Sequence, residues 1–262
     1  MLLEVLTYLT TRCPPHLRDM GYLSELIATE ARFRRCRSAW GPHLEKTQSV
    51  ILSAINCTAS RNKAVVLGAG LLSDIPLRAL SGSFGKVVLI DVCFLHAARK
   101  AAMHYPNVEI RTSDITGLAR ALHAGETPES ALPCDIALSD VDLVVSANVL
   151  SQLPLVPLAY LRRRHLLGEG EAARVLAHGI VRAHLDLLNT CFGTVCLISE
   201  VERQFLDGDV MLGTEDPLFG VAAEIDGDEW FWDIAPKPEA SPDYAIRNRV
   251  RGMVWQGGVS GR

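Results

Sequence analysis

The sequence predicts an α/β fold: a seven-stranded, mostly parallel sheet with helices on both faces and a helical cap ahead of it. Three observations predict it. Residues 64–91 read as strand, glycine turn, helix and strand, and both strands are short apolar runs of the kind buried on two faces. The same alternation continues downstream, with strand patterns at 108–112, 142–146 and 194–199 separated by helical ones. After Glu202 it stops, and 230–234 and 249–255 read as two alternating strands joined by a proline-rich loop, an antiparallel pair closing the sheet.

Residues 1–60 form the expected cap and residues 61–262 the domain that follows. Leu2, Leu3, Val5, Leu6 and Leu9 make a short stripe that Pro14 and Pro15 break. Leu23, Leu26, Ile27, Ala31 and Phe33 repeat at a helical period, and 47–55 supplies another amphipathic piece. Between them Arg32, Arg34, Arg35, Arg37, His43 and Lys46 crowd together with Trp40. That cluster is either a solvated helix face or the part of the cap where an arginine or Trp40 meets a carboxylate or a substrate.

The first strand runs into Gly68-Ala69-Gly70, where missing side chains let the backbone pass close to a ligand. Ser73 or Asp74 is a candidate N-cap for the next helix, with Pro76 in its first turn. The second strand ends on Asp91, about twenty residues on, where a carboxylate can accept both hydroxyls of a ribose. This is the nucleotide-binding half of a Rossmann-like sheet. A dinucleotide fingerprint needs a third glycine at the position of Ser73, and no Lys-Ser or Lys-Thr pair follows, which excludes a P-loop.

Downstream, 93–103 reads as a helix ended by proline and asparagine, and Asp114-Ile115 follows the third strand. Asp114 can cap the helix expected at 115–124; a loop spans 125–134. Ser146 and Asn148 are the polar groups at the end of the fourth strand, either site residues or a cap. A helix at 155–167 ends in Arg162, Arg163, Arg164 and His165, cations suited to a helix C-terminus. The helix at 171–189 has the clearest apolar stripe, and His184 on that stripe reads as a core histidine.

Composition narrows the function. A net charge of -4 gives no electrostatic reason to expect nucleic acid. Seven irregularly spaced cysteines argue for reduced thiols, and the absence of a signal pattern or an 18-residue apolar run argues for a cytoplasmic protein without membrane contact. No H-E-x-x-H or C-x-x-C suggests a metal, and no G-x-S-x-G elbow suggests a serine hydrolase.

The stretch from Ala64 to Asp91 resembles motifs I and II of the class I S-adenosylmethionine (SAM)-dependent methyltransferases, and DLVVSANVLSQL, residues 142–153, resembles motif IV. The resemblance covers about residues 60–200. It implies SAM as cofactor, held along Gly68, Ala69, Gly70, Asp91, Val92, Asp114, Ile115 and Asn148. Asp114 would accept from the adenine amine, and the methyl group would point past Asn148. Ser146, Gln152, Trp230 and Trp232 would face the acceptor, a small molecule or a protein side chain. No catalytic residue is identified, because methyl transfer to a neutral amine or a carboxylate needs alignment more than a base. An NAD(P)-dependent oxidoreductase and a non-catalytic binding or assembly protein remain as alternatives.

Overall fold

A computed structural model describes residues 2–126, 134–221 and 227–258. Four helices come first: α1 (Leu2–Thr10), α2 (Pro15–Met20), α3 (Tyr22–Arg35) and α4 (Arg37–Cys57). Then β1 (Lys63–Leu67), α5 (Leu77–Ser83), β2 (Lys86–Asp91), α6 (His96–Ala102), β3 (Val108–Thr112), α7 (Ala119–His123) and β4 (Leu143–Ala147) alternate. A 3-10 turn at Leu150–Gln152 leads to α8 (Leu155–Arg163) and α9 (Glu171–Asn189). The remainder is β5 (Thr194–Asp207), β6 (Val210–Glu215), β7 (Asp228–Ala235) and β8 (Ala245–Gln256).

The strand order is β3-β2-β1-β4-β5-β8-β7, with β6 paired to β5 beside that path. The first five strands are parallel; β8 runs antiparallel to both β5 and β7. Chain order therefore reverses between β1 and β4, which opens a crevice at their carboxyl ends.

Period-two alternation explains the two-sided core. Ala64, Val66, Val87, Leu89, Leu143, Val145, Cys196 and Ile198 pack on one face with Val50, Ile51, Ala54 and Ile55 of α4. Val65, Leu67, Val88, Ile90, Val144, Val195 and Leu197 pack on the other with Val181 and Leu188 of α9. Because α4 shares the sheet's core, the last cap helix is also a layer of the domain. Leu17 and Met20 of α2 pack with residues of α7, α8 and α9, and Leu23 and Ile27 of α3 pack with Cys93 and Leu95 after β2. The stripe of α1 stays exposed.

The structure departs from the sequence reading in three places. The sheet has eight strands, because β5 continues through Glu200–Asp207 and pairs with β6 as well as β8. Its polar half is held by partners on neighbouring strands: Arg249 lies 3.5 Å from Glu202 and Arg203 lies 3.7 Å from Glu215. Neither Ser73 nor Asp74 caps α5; Pro76 occupies the N-cap without a side-chain hydrogen bond. The helices expected at 93–103 and 115–124 are the shorter α6 and α7. Of the loop expected at 125–134, residues 127–133 lie outside the described ones.

Candidate active site

A cavity of about 310 Å³ sits in the crevice between β1 and β4, roofed by α3 and the start of α4. That is enough room for a nucleoside-sized ligand. Gly68, Gly70, Asp91, Val92, Asp114, Ile115, Asn148, Gln152 and Trp232 all line it. Ala69, Ser146 and Trp230 do not. Ala69 is buried in the sheet core, and Ser146 Oγ lies 2.8 Å from His184 Nε2 on the opposite face. Trp230 stands behind Trp232, its Nε1 donating to His43 Nδ1 at 3.0 Å. Ser146 faces away because adjacent strand residues face opposite ways, whereas Trp230 shares the face of Trp232 two residues further back along β7, and Ala69 lies in the turn after β1.

The glycine turn is tight for internal reasons. Gly68 has φ of +81°, and a Cβ there would lie 2.6 Å from Val149 Cβ. At Gly70 an added Cβ would lie 3.0 Å from both Asp91 Oδ2 and Leu26 Cδ1. The turn thus lets β4's exit loop close on β1 and draws the acid of β2 against it. Gly70 N donates to Asp91 Oδ2 at 2.8 Å and Val92 N donates to Oδ1 at 2.7 Å. Each carboxylate oxygen keeps a lone pair for a second donor. Burial raises the Asp91 carboxyl to about 6, against the pull of the Val92 and Gly70 amides.

Asp114 caps the turn into α7. Its Oδ1 accepts from Thr116 N at 2.9 Å and Thr116 Oγ1 at 2.7 Å, and Oδ2 accepts from Ala119 N at 2.7 Å. Capping and cavity lining therefore coincide in one side chain. Asp114→Ala is expected to cost about 1 kcal/mol, the usual worth of a cap, read as a lower denaturation midpoint. Tyr22 of α3 also lines this end, its hydroxyl pushed well above its ordinary value by burial and then by the Asp114 charge.

The opposite end is polar on one wall and aromatic on the other. Asn148, at φ of +53° just past β4, donates from Nδ2 to Asp74 Oδ2 at 2.8 Å. Its Oδ1 has no hydrogen-bond partner. Glu200, only 1% exposed, accepts from Ser151 Oγ. Burial raises both the Asp74 and Glu200 carboxyls. Opposite them His43 stacks on Trp232 at 4.0 Å between ring centroids, and Trp40 meets Trp232 edge-on at 4.9 Å. The Trp230 bond makes His43 an acceptor at Nδ1, so the ring is neutral; burial lowers its pKa to about 3. His43→Ala is expected to destabilise the fold by about 2–4 kcal/mol, from the lost stack and a stranded buried indole N–H, measured by urea unfolding.

Of the basic cluster, Arg32 lines the cavity and Arg35 pairs with Glu239, its Nε and Nη2 at 2.9 and 2.7 Å from the two carboxylate oxygens. The arginines meet a carboxylate of this chain. The sequence reading missed Asp74 as a wall residue, Glu200, Arg203 and His43. Asp74 carried a signal, an acid four residues past Gly70 that no helix needed, and Glu200 carried another, an acid closing the fifth apolar run as Asp91 closes the second.

No protein-family model and no curated protein matches the chain. Among solved structures it is similar to a complex of DhpI with SAH, at 15% identity and a TM-score of 0.37, over 90% of this chain and 96% of that one. It is similar to the glycopeptide N-methyltransferase MtfA complexed with SAM, at 16% identity and a TM-score of 0.32, over 78% and 75%. A phosphoethanolamine N-methyltransferase of Haemonchus contortus is 11% identical with a TM-score of 0.34, over 89% of this chain and 51% of that one. The strand order settles the architecture by itself: five parallel strands reversing at β1 and β4, then the antiparallel β8 and β7, make this a Rossmann-like α/β fold.

Proposed function

We propose that the protein is a SAM-dependent methyltransferase acting on a small molecule, with a protein side chain as the less favoured acceptor. The observation that carries this reading is Asp91, fixed by the Gly70 and Val92 amides on the wall of a crevice cavity with acceptor capacity left over. A ribose is the ligand such a carboxylate suits. The residues present fit the adenosyl part of SAM: Asp91 for the two ribose hydroxyls, Val92 and Ile115 for the faces of the adenine, and Asp114 for its amine. Asn148 and Gln152 border the passage to the acceptor half.

When bound, SAM supplies a sulfonium methyl group, which passes to a nucleophile's lone pair while the S–CH3 electrons stay on sulfur. The chain's own contribution is alignment and exclusion of water. Leu26, Leu44, Val149 and Leu153 line the cavity with apolar surface, and α3 covers it. In transfer to a neutral amine the positive charge leaves sulfur and reappears on the acceptor nitrogen, where the aromatic rings and carboxyls lining the cavity can accommodate it.

Titration calorimetry with S-adenosylhomocysteine and, separately, with NAD tests the reading. Saturable one-to-one heat from S-adenosylhomocysteine and none from NAD is expected. Preferential NAD binding would falsify it and favour hydride transfer.

A further inference from the structure

The acceptor end of the cavity has an excess of hydrogen-bond acceptors. Asp74 and Glu200 are buried carboxyls lining one wall, and the Asp74 charge works against ionisation of Glu200. Asn148 is 9% exposed, and its Nδ2 is committed to Asp74, which fixes the amide so that Oδ1 is an acceptor with no donor. Two cations also line the cavity, and each has a carboxylate partner: Arg203 lies 3.7 Å from Glu215 and Arg32 3.5 Å from Glu239. The facing wall is Trp232, 5% exposed, with Trp40 and His43 packed against it. Asn148 Oδ1 lacks a donor, and the two carboxyls keep acceptor capacity beyond the bonds from Asn148 and Ser151; π faces attract cations.

We propose that this end binds a small primary ammonium with a flat apolar body, the nitrogen held by Glu200, Asp74 and Asn148 Oδ1 and the body lying against Trp232 and Trp40. The inference rests on the methyl-transfer reading and names the acceptor class. An ammonium answers all three acceptors with N–H donors, whereas a carboxylate or phosphate would meet like charge. It must shed one proton to expose the lone pair that takes the methyl group. Glu200, ionised when it holds the ammonium, is placed to receive that proton, and burial makes its carboxylate more basic than an exposed one.

The test uses the full chain at pH 7.5, first titrated with S-adenosylhomocysteine alone. With that ligand saturating, phenethylamine, 2-phenylethanol and 3-phenylpropanoate are then titrated as probes sharing one ring and differing in head group. Phenethylamine is expected to bind at least tenfold more tightly than either other probe. Glu200→Gln keeps the shape and can still accept from Ser151; it should erase most of that preference while leaving S-adenosylhomocysteine affinity within twofold. Equal or tighter binding of the alcohol or the acid, no binding of any probe, or an undiminished preference in Glu200→Gln overturns the proposal. If the variant does not fold, the ranking of the three probes on the unaltered protein decides. Heat from S-adenosylhomocysteine without the amine preference sinks this inference alone; no heat from S-adenosylhomocysteine sinks the cofactor reading and this one with it.

Discussion

Replacing Gly68 with alanine is expected to destabilise the protein by about 2–4 kcal/mol, the sum of a left-handed backbone penalty and overpacking. The backbone there sits at φ of +81°, and the new methyl would fall 2.6 Å from Val149 Cβ. Val149 opens the 3-10 turn after β4, so relief requires moving the β4 exit loop away from β1 and opening the crevice. Two other glycines calibrate the effect. Gly70 has an ordinary φ and its nearest neighbours are the Asp91 and Leu26 side chains at 3.0 Å, so Gly70→Ala should cost less stability yet displace the carboxylate. Gly82 in α5 has nothing within 4 Å, and Gly82→Ala should be neutral or stabilising by about 0.5–1 kcal/mol. Urea midpoints for the three variants check the series. A Gly68→Ala protein as stable as the parent would mean that β1 and the β4 loop do not approach this closely.

Asp91→Ala should weaken S-adenosylhomocysteine binding by about 1–3 kcal/mol, the usual range for removing one partner of a buried hydrogen bond. It also leaves the Gly70 and Val92 amides without their acceptor, so the melting temperature is measured alongside. An affinity equal to that of the parent would mean the ribose is held elsewhere. The pH dependence is more specific. Burial raises the Asp91 carboxyl from 3.8 to about 6, so the folded protein holds a proton there that the unfolded chain releases. Its contribution to stability is therefore present at low pH and is lost as pH rises through 6. Ligand affinity runs the other way, because the carboxylate accepts better from hydroxyls than the neutral acid does. Affinity for S-adenosylhomocysteine should rise as pH passes through 6 and level off above about 7. In Asp91→Asn that step should vanish. His43 and His184, lowered to about 3 and 4 by burial, stay neutral across this window and cannot supply it.

One end of the cavity was legible in the residues because its lining positions are tied to strand ends. A glycine turn after one apolar run and an acid closing the next are local patterns, and parallel register alone brings them together: Leu67 pairs with Ile90, so Gly70 and Asp91 meet. Three expected residues do not line the cavity: Ser146 faces α9, Trp230 shares the face of Trp232 but lies two residues away along β7, and Ala69, in the turn after β1, packs into the core. His184 was read as a core histidine; it is buried against Ser146, with its Nδ1 left unpartnered.

By itself the sequence determined the order of strands and helices, the two-faced burial of the sheet and the identity of the turn and its acid, since each depends on short-range periodicity and backbone chemistry. Only the tertiary structure decided the composition of the cavity's other end. Asp74 follows β1, Asn148 follows β4, Glu200 lies within β5, Trp232 lies on β7 and His43 on α4, and residues that far apart in the chain have no spacing to read. What assembles them is the strand reversal between β1 and β4 together with the antiparallel return of β8 and β7, which carries the tryptophans back over the open end of the parallel strands.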